Sequence, residues 1–331
     1  MYDIIFDFSS SPAGGGLRRL EAYAEYFSQS HLKTHFFIHA SARNRDRIQQ
    51  LIPATLVQKS FASKALVNND YLKEIDFKAK WLFSYGIPTK RSKAEQNWLH
   101  VSNVLPFFIF HATSTPGLFF KMSILRQQFK ANFRNNDIVS AESNFSIKMY
   151  INVTGWIGDT LILRNGIYKE DPVLEYKQPY AIAVGTHSYK RIDLTYKIFT
   201  GLKEDLGLKK LLIVGDSKLI PGSIRSAIDV DIRNFLPEAE LQSCLKRASY
   251  FISTSEVENS SCAVLEGLRL TKTAILSDIP SHQEMFREDS VQSFQHQGAD
   301  YLIVNQSDVR SDVMVDWDIE IEKMLLRMGL S

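Results

Sequence analysis

Two carboxylates, Glu258 and Glu266, stand with seven residues between them in EVENSSCAVLEGL, residues 256–268. The stretch leaves an apolar run, ASYFIST, and leads through a helix-forming segment to a second apolar run, TAILS. Serine is a favoured helix N-cap, so the helix is expected to begin at Ser260 or Ser261. The first N–H groups of a helix lack internal partners, and the macrodipole adds partial positive charge there. Such an end suits a phosphate. Glu258 lies before the helix and Glu266 almost two turns inside it, too deep to contact the same atoms. The two acids can therefore hold different hydroxylated parts of one ligand: a sugar beside the loop and a ribose beside the helix, with phosphates between them on the amides. The alternative for the same spacing is a pair of solvated acids on an amphipathic helix.

The elements that must position these acids are legible as a pattern. YDIIFDF, a Gly-rich SPAGGG, the amphipathic LRRLEAYAEYF and the apolar THFFIHA read as strand, turn, helix and strand. NWLHV and NDIVSAES read as further strand ends, and SNFSIKMYINV as a helix with a Ser/Asn cap. Pro172 and Pro179 bracket a polar stretch, and the alternation then restarts with YAIAVG, DLTYKIFTGLKEDLG, KLLIVGD, DVDIRNF, PEAELQSCLKRA, SYFISTS, SCAVLEGLRL and TAILSD. Strands alternating with helices imply parallel sheets covered on both faces. The expected fold class is α/β, with two doubly wound, Rossmann-like domains facing across a cleft. Domain one spans 1–171 and a linker 172–179. Domain two spans 180–314, and a C-terminal helix at 315–331 is expected to return to domain one.

The 331 residues suit about two domains at roughly 150 each. A hydrophobic fraction of 44% supports real cores, and a formal net charge of +2 argues against a nucleic-acid partner. Cys244 and Cys262 match no zinc spacing and no disulfide framework, which fits a reducing compartment. The start MYDIIFDFSSS lacks the form of a signal peptide, and no apolar run is long enough to span a bilayer. Lys59, Lys73, Lys78, Lys80, Lys90, Arg91 and Lys93 form the one basic region, either a solvated surface or an attraction to anionic lipid heads. VLPFFIF is the strongest apolar block and reads as core or groove lining.

With these residues in place, FISTSEVENSSCAVLEGLRLTKTAILSDIPSHQEMF resembles the signature of retaining GT-B glycosyltransferases of the large family 4 type. Glu258, Glu266 and Glu284 are the matching acids. VGTHSYKRIDLTYKIF resembles the opening of the donor domain. The resemblance implies that Gly185 admits the backbone to a diphosphate and that Lys190 neutralises it, with Arg191 a second candidate in a shortened loop. Gly215 in LLIVGD matches the next block, and Phe235, Leu236 and Pro237 would lie against the base. Asn165–Gly166 in LILRNGI resembles the turn closing the first domain, and Gly15 and Gly16 in PAGGGLRR the loop that approaches the donor or acceptor. His111 resembles the first-domain histidine near the reacting sugar; His100 competes for that place and, with Asn103, is the acceptor-side candidate.

The resemblance implies transfer of a hexose from a nucleotide diphosphate sugar to a hydroxyl, with retention, no metal and no cofactor beyond that co-substrate. Glu258, Lys190 and His111 are the catalytic candidates; Thr186, Asn259, Ser260 and Ser261 complete the donor set. The acceptor would be a glycan or a lipid-linked glycan of bacterial surface polysaccharide, such as lipopolysaccharide. The enzyme would be cytoplasmic, with a lipid-linked acceptor drawing it to the inner membrane as a peripheral partner. Three positions depart from the family pattern. Asn259–Ser261 replace Gly-Phe-Gly, Thr186 stands in place of Arg, and Thr271 in place of a helix-ending Gly. The departures leave open a non-catalytic partner that binds sugar nucleotides; a GT-B-like epimerase or hydrolase is a further alternative. Asp229–Val230–Asp231 and Asp316–Trp317–Asp318 look like the metal motif of another glycosyltransferase fold, but acids at a helix start are expected from the dipole alone.

Overall fold

The computed structural model describes residues 1–9, 14–39, 57–61, 78–88, 92, 94–108, 115–167, 176–286 and 291–330. The chain divides into two compact units. One takes Met1–Phe110, Pro116–Gly166 and Val315–Ser331, the other His111–Thr115 and Ile167–Met314. Of the expected linker, 172–175 lie outside the described residues, and a strand already begins at Gln178.

The first unit runs β1 (Tyr2–Phe8), α1 (Gly15–Gln29), β2 (Thr34–His39), β3 (Val57–Phe61), β4 (Ala79–Tyr85), β5 (Gln96–Val101), α2 (Pro116–Asn132), β6 (Ile138–Ala141), α3 (Asn144–Thr154) and β7 (Asp159–Ile162). Its parallel sheet has the order β3-β2-β1-β4-β5-β6-β7. Helix α3 shows why local sequence decides local structure. Ser143 accepts from the Ser146 N–H at its start, and Gly155 takes a left-handed φ of 75° at its end. The core is aromatic: Phe6 stacks on Phe36 and Phe8 on Tyr85, each with ring centroids 4.9 Å apart.

Arg19 is the structural centre of this unit. Its side chain is fully buried, and its guanidinium donates to the carbonyls of Leu163 (3.0 Å) and Arg164 (2.9 Å), and to the Tyr23 hydroxyl (3.1 Å). It also faces Glu142 at 3.7 Å and the Trp317 ring at 5.3 Å from its centroid. Trp317 opens α9 (Trp317–Met328). The segment after β7 and the start of α9 are thus held by one side chain. Two further contacts join them. The Arg164 N–H donates to Glu320 at 2.8 Å, and a Cβ on Gly166 would stand 2.5 Å from the Trp317 nitrogen, so no larger residue fits there.

The second unit continues with β8 (Gln178–Val184), α4 (Ile192–Leu202), β9 (Lys210–Val214), α5 (Gly222–Arg225), β10 (Val230–Arg233), α6 (Glu238–Arg247), β11 (Ala248–Ser253), α7 (Cys262–Thr271), β12 (Thr273–Ser277), α8 (Pro280–Phe286), β13 (Gln292–His296) and β14 (Ala299–Asn305). The sheet order is β10-β9-β8-β11-β12-β14-β13. Strands β10 to β12 are parallel, while β14 is antiparallel to both its neighbours. Alternate residues serve opposite faces: Leu212, Phe251 and Leu276 enter one core, Leu211, Ile252 and Ile275 the other. Gly267, inside α7, is required by close packing, since a Cβ there would lie 2.4 Å from the Phe251 ring. The left-handed residue closing α7 is Lys272, φ 76°, one place beyond the Thr271 that sequence reading had marked.

Two outcomes check this account. Gly267→Leu should overpack α7 against β11 and lower unfolding stability by roughly 1–3 kcal/mol or more in denaturant titration. Arg19→Met removes a buried cation from Glu142 and from the Leu163 and Arg164 carbonyls, at a cost of about 3–5 kcal/mol, and adding Glu142→Gln should return part of that loss.

Candidate functional site

In the second unit the strand order reverses direction between β8 and β11. Crossovers leave these neighbours toward opposite sides, which opens a crevice at their carboxyl ends where doubly wound folds bind ligands. Lys190 follows β8 and Glu258 follows β11, so the two candidates meet there because of the topology.

The loop after β8 is tightly built. Gly185 has φ 93°, a conformation that favours glycine, and its N–H donates to the Val214 carbonyl at 2.8 Å. One helical turn, Ser188–Lys190, brings the chain to Arg191, which is left-handed at φ 49°. That conformation costs a non-glycine residue about 1–2 kcal/mol. Interactions on all sides hold it: the Arg191 carbonyl accepts from the Thr254 hydroxyl at 2.8 Å, and its guanidinium grips Asp193 (2.8 Å) and Glu256. The Glu256 N–H in turn donates to the Tyr189 carbonyl at 2.9 Å. The loops after β8 and β11 are thus sewn together, and Arg191 is committed to two carboxylates. Those bonds, led by the one to Asp193, hold its cation charged beyond the already high arginine range.

Lys190 pairs with Glu258, and the two side chains are only 14% and 11% exposed. Burial works against the ammonium, but the Glu258 charge, Tyr189 and the hydrogen bond outweigh it, so the lysine is held more firmly protonated than in water. Ser255 donates its hydroxyl to the same Glu258 oxygen at 2.7 Å. Beyond them α7 begins with Ser261 as N-cap. Its carbonyl accepts from Val264 (2.9 Å), but its side chain makes no cap bond. Asn259, Ser260 and Ser261 are buried, and Glu266 is half-buried on α7. Thr186 is buried too, filling the space beside Gly215, where a Cβ would meet its Cγ2 at 2.7 Å. Leu236 packs on the core, with Phe235 exposed beside it.

The remaining candidates lie in the first unit. Gly15 and Gly16 form the first turn of α1, after Gly14 as N-cap at φ 69°. His100 is fully buried between Tyr85, stacked at 5.3 Å, and Ser140, 2.8 Å from Nδ1, with Nε2 3.6 Å from Glu142. Burial, reinforced by the Arg19 charge, keeps the ring neutral. A ring with no exposed surface does not meet an acceptor in this conformation. Asn103 is exposed, and its side chain accepts from the Leu105 N–H at 2.9 Å. His111 lies outside the described residues, as do the side chains of Lys59, Lys73, Lys90, Arg91 and Lys93.

Sequence reading missed Glu256, Asp193, Ser255, Ser277 and His282. A signal for two of them was present: Glu256 sits two places before Glu258, and Asp193 two places after Arg191. The two Asp-x-Asp stretches have other work. Asp229 pairs with Lys203 at 3.0 Å, and Asp316 caps α9 by accepting from the Asp318 N–H at 3.1 Å. Among the described residues, no cluster of three or more His, Cys, Asp or Glu side chains is arranged to hold a metal, and no helix is long and apolar enough to cross a membrane.

No protein-family model matches the chain, and no curated protein matches it. Solved structures do. HepE of Anabaena, crystallised with UDP-glucose, is 13% identical over 87% of this chain and 84% of its own, with a TM-score of 0.60. Sucrose-phosphate synthase of Thermosynechococcus elongatus is 12% identical over 86% of this chain and 83% of its own, with a TM-score of 0.60. WaaG, a glycosyltransferase involved in lipopolysaccharide biosynthesis, is 13% identical over 81% and 79%, with a TM-score of 0.58.

The fold is GT-B.

In this GT-B chain, neutral buried histidines should make stability pH-dependent. Burial lowers the proton affinity of His35, His100 and His282 below the usual 6.5. Below that value the unfolded chain binds protons that the folded chain refuses, so stability is full above it and declines as pH falls toward the folded values. Thermal melts should give a lower midpoint at about pH 5 than at about pH 7.5; equal midpoints would contradict this assignment.

Proposed function

We propose that the chain is a retaining glycosyltransferase of family 4 type, moving a hexose from a nucleotide diphosphate sugar to a hydroxyl of a glycan or lipid-linked acceptor. The observation that carries the reading is the Lys190–Glu258 pair at the strand reversal, beside the N-terminus of α7. A lysine ammonium has three donors, so it can hold Glu258 and a phosphate oxygen together. An arriving diphosphate competes for Lys190 and leaves Glu258 able to accept from sugar hydroxyls. Glu266, further along α7, would take the ribose.

The difficult event is departure of the diphosphate, which places charge on the β-phosphate. Lys190 and the first amides of α7 are set in advance for that charge, and preorganised electrostatics of this kind is usually the largest catalytic term. Neither carboxylate is needed as a nucleophile: the leaving phosphate accepts the acceptor's proton on the face it departs from, which gives retention without a metal. Arg191 supports the loop through Asp193 and Glu256 rather than offering its guanidinium to phosphate. HepE binds UDP-glucose, and this supports a uridine donor here. WaaG's role in lipopolysaccharide biosynthesis supports a surface polysaccharide as product, made in the cytoplasm at the inner membrane face.

The departures at Thr186 and Asn259–Ser261 favour a second reading, a non-catalytic partner that binds sugar nucleotides for another transferase. Turnover separates the two. With a panel of UDP, GDP and dTDP sugars, one donor should raise the melting temperature and support transfer. Lys190→Ala and Glu258→Ala should each reduce that transfer by roughly 10²–10³ while melting as folded proteins. Wild-type turnover in both variants would remove the site; donor binding without turnover would favour the non-catalytic partner.

A further inference from the structure

Behind Glu258 lies a side chain that the donor reading leaves unused. His282, in α8, is fully buried, and its Nδ1 is 2.8 Å from the Ser277 carbonyl. A carbonyl can only accept, so Nδ1 carries the proton. Burial lowers the proton affinity of the ring, which leaves it neutral with a bare Nε2. That Nε2 is buried and has no hydrogen-bond partner among the described residues. A buried unmatched acceptor is destabilising, a cost that an apolar side chain of the same shape would avoid. What imidazole supplies here, and an apolar group would not, is the one N–H.

That N–H fixes a chain of bonds leading to the site. Ser277, whose carbonyl His282 holds, donates its own hydroxyl to the Ser255 carbonyl at 2.6 Å. Ser255 donates its hydroxyl to Glu258 at 2.7 Å. The β11–β12 ladder ends at Ser253 opposite Leu276, so the Ser277 bond continues the pairing where the backbone ladder has stopped. The segment carrying Glu258 is thereby tied to β12 and α8.

We propose that His282 is a positioning residue for Glu258, acting as the neutral Nδ1–H tautomer through Ser277 and Ser255. The role rests on the donor-site reading above. Without the N–H, the Ser277 carbonyl loses one of its donors, the Ile279 N–H at 2.9 Å remaining, and Glu258 and its serine partner lose the geometry that favours bound sugar over bound nucleotide alone.

Two substitutions separate the ring nitrogens. In His282→Asn the amide nitrogen falls where Nδ1 was; in His282→Gln it falls where Nε2 was. With melting curves confirming folded variants, kcat/KM for the sugar nucleotide should stay within about twofold of wild type in H282N. It should fall roughly 3- to 10-fold, the net worth of one hydrogen bond, in H282Q and His282→Phe, while affinity for UDP alone is unchanged. Nitrogen-15 NMR on the ligand-free chain should show Nδ1 protonated and Nε2 bare at neutral pH. An Nε2–H or cationic ring overturns the role whatever the chain binds. So does H282Q matching or exceeding H282N while wild type binds donor, since Nε2 would then touch the ligand directly. A wild type that binds no sugar nucleotide overturns the donor-site reading and this role with it.

Discussion

A lysine and a glutamate hold each other almost out of water at the carboxyl edge of the second sheet. Such a pair is a poor source of stability, because removing two charges from water costs several kcal/mol per ion before their attraction offsets it. A pair of apolar side chains would serve folding as well. The surroundings instead maintain the ions. Ser255 bonds the carboxylate, Gly185 lets the chain turn toward the lysine, and Arg191 accepts a strained backbone to complete that turn. Backbone strain and buried charge in one place are features that cluster at functional sites.

Each unit builds its carboxyl-end rim in the same physical way. In the first, β1 and β4 are the neighbours at which strand order reverses, and Arg19, from the helix after β1, sits beside Tyr85 at the end of β4. In the second, β8 and β11 take those places, with Lys190 and Glu258. The difference is in how the charge is spent. Arg19 is consumed by backbone carbonyls of its own unit and fixes where the chain leaves and re-enters it. Among the described residues Lys190 pairs with one carboxylate, Glu258, and its side chain is 14% exposed.

Much of this was legible in sequence. Strong apolar runs such as KLLIV and ASYFIS marked strands buried on both faces, and of the two expected starts of α7, Ser260 or Ser261, the structure takes Ser261 as N-cap. The spacing of Glu258 and Glu266 singled out the loop that the structure pairs with Lys190. Other elements were hidden for identifiable reasons. Helix α2 buries only Met122 and Phe129 and leaves Phe120 exposed, so it shows no clean apolar stripe. Strand β4 lay in a stretch read for its lysines. The β13–β14 hairpin is polar outside, and its turn residues, Gln297 at φ 50° and Gly298 at φ 79°, are a weaker signal than Asn-Gly. Partners such as Glu256 and His282 are named by proximity across loops, which periodicity does not encode.

The most direct measurement is a crystal structure of the chain with a nucleotide diphosphate sugar. The expected result is a diphosphate oxygen about 3 Å from the Lys190 Nζ and from the first amides of α7, with Glu258 turned to the sugar hydroxyls. A nucleotide bound elsewhere, with Lys190 and Glu258 still closed on each other, would contradict the account.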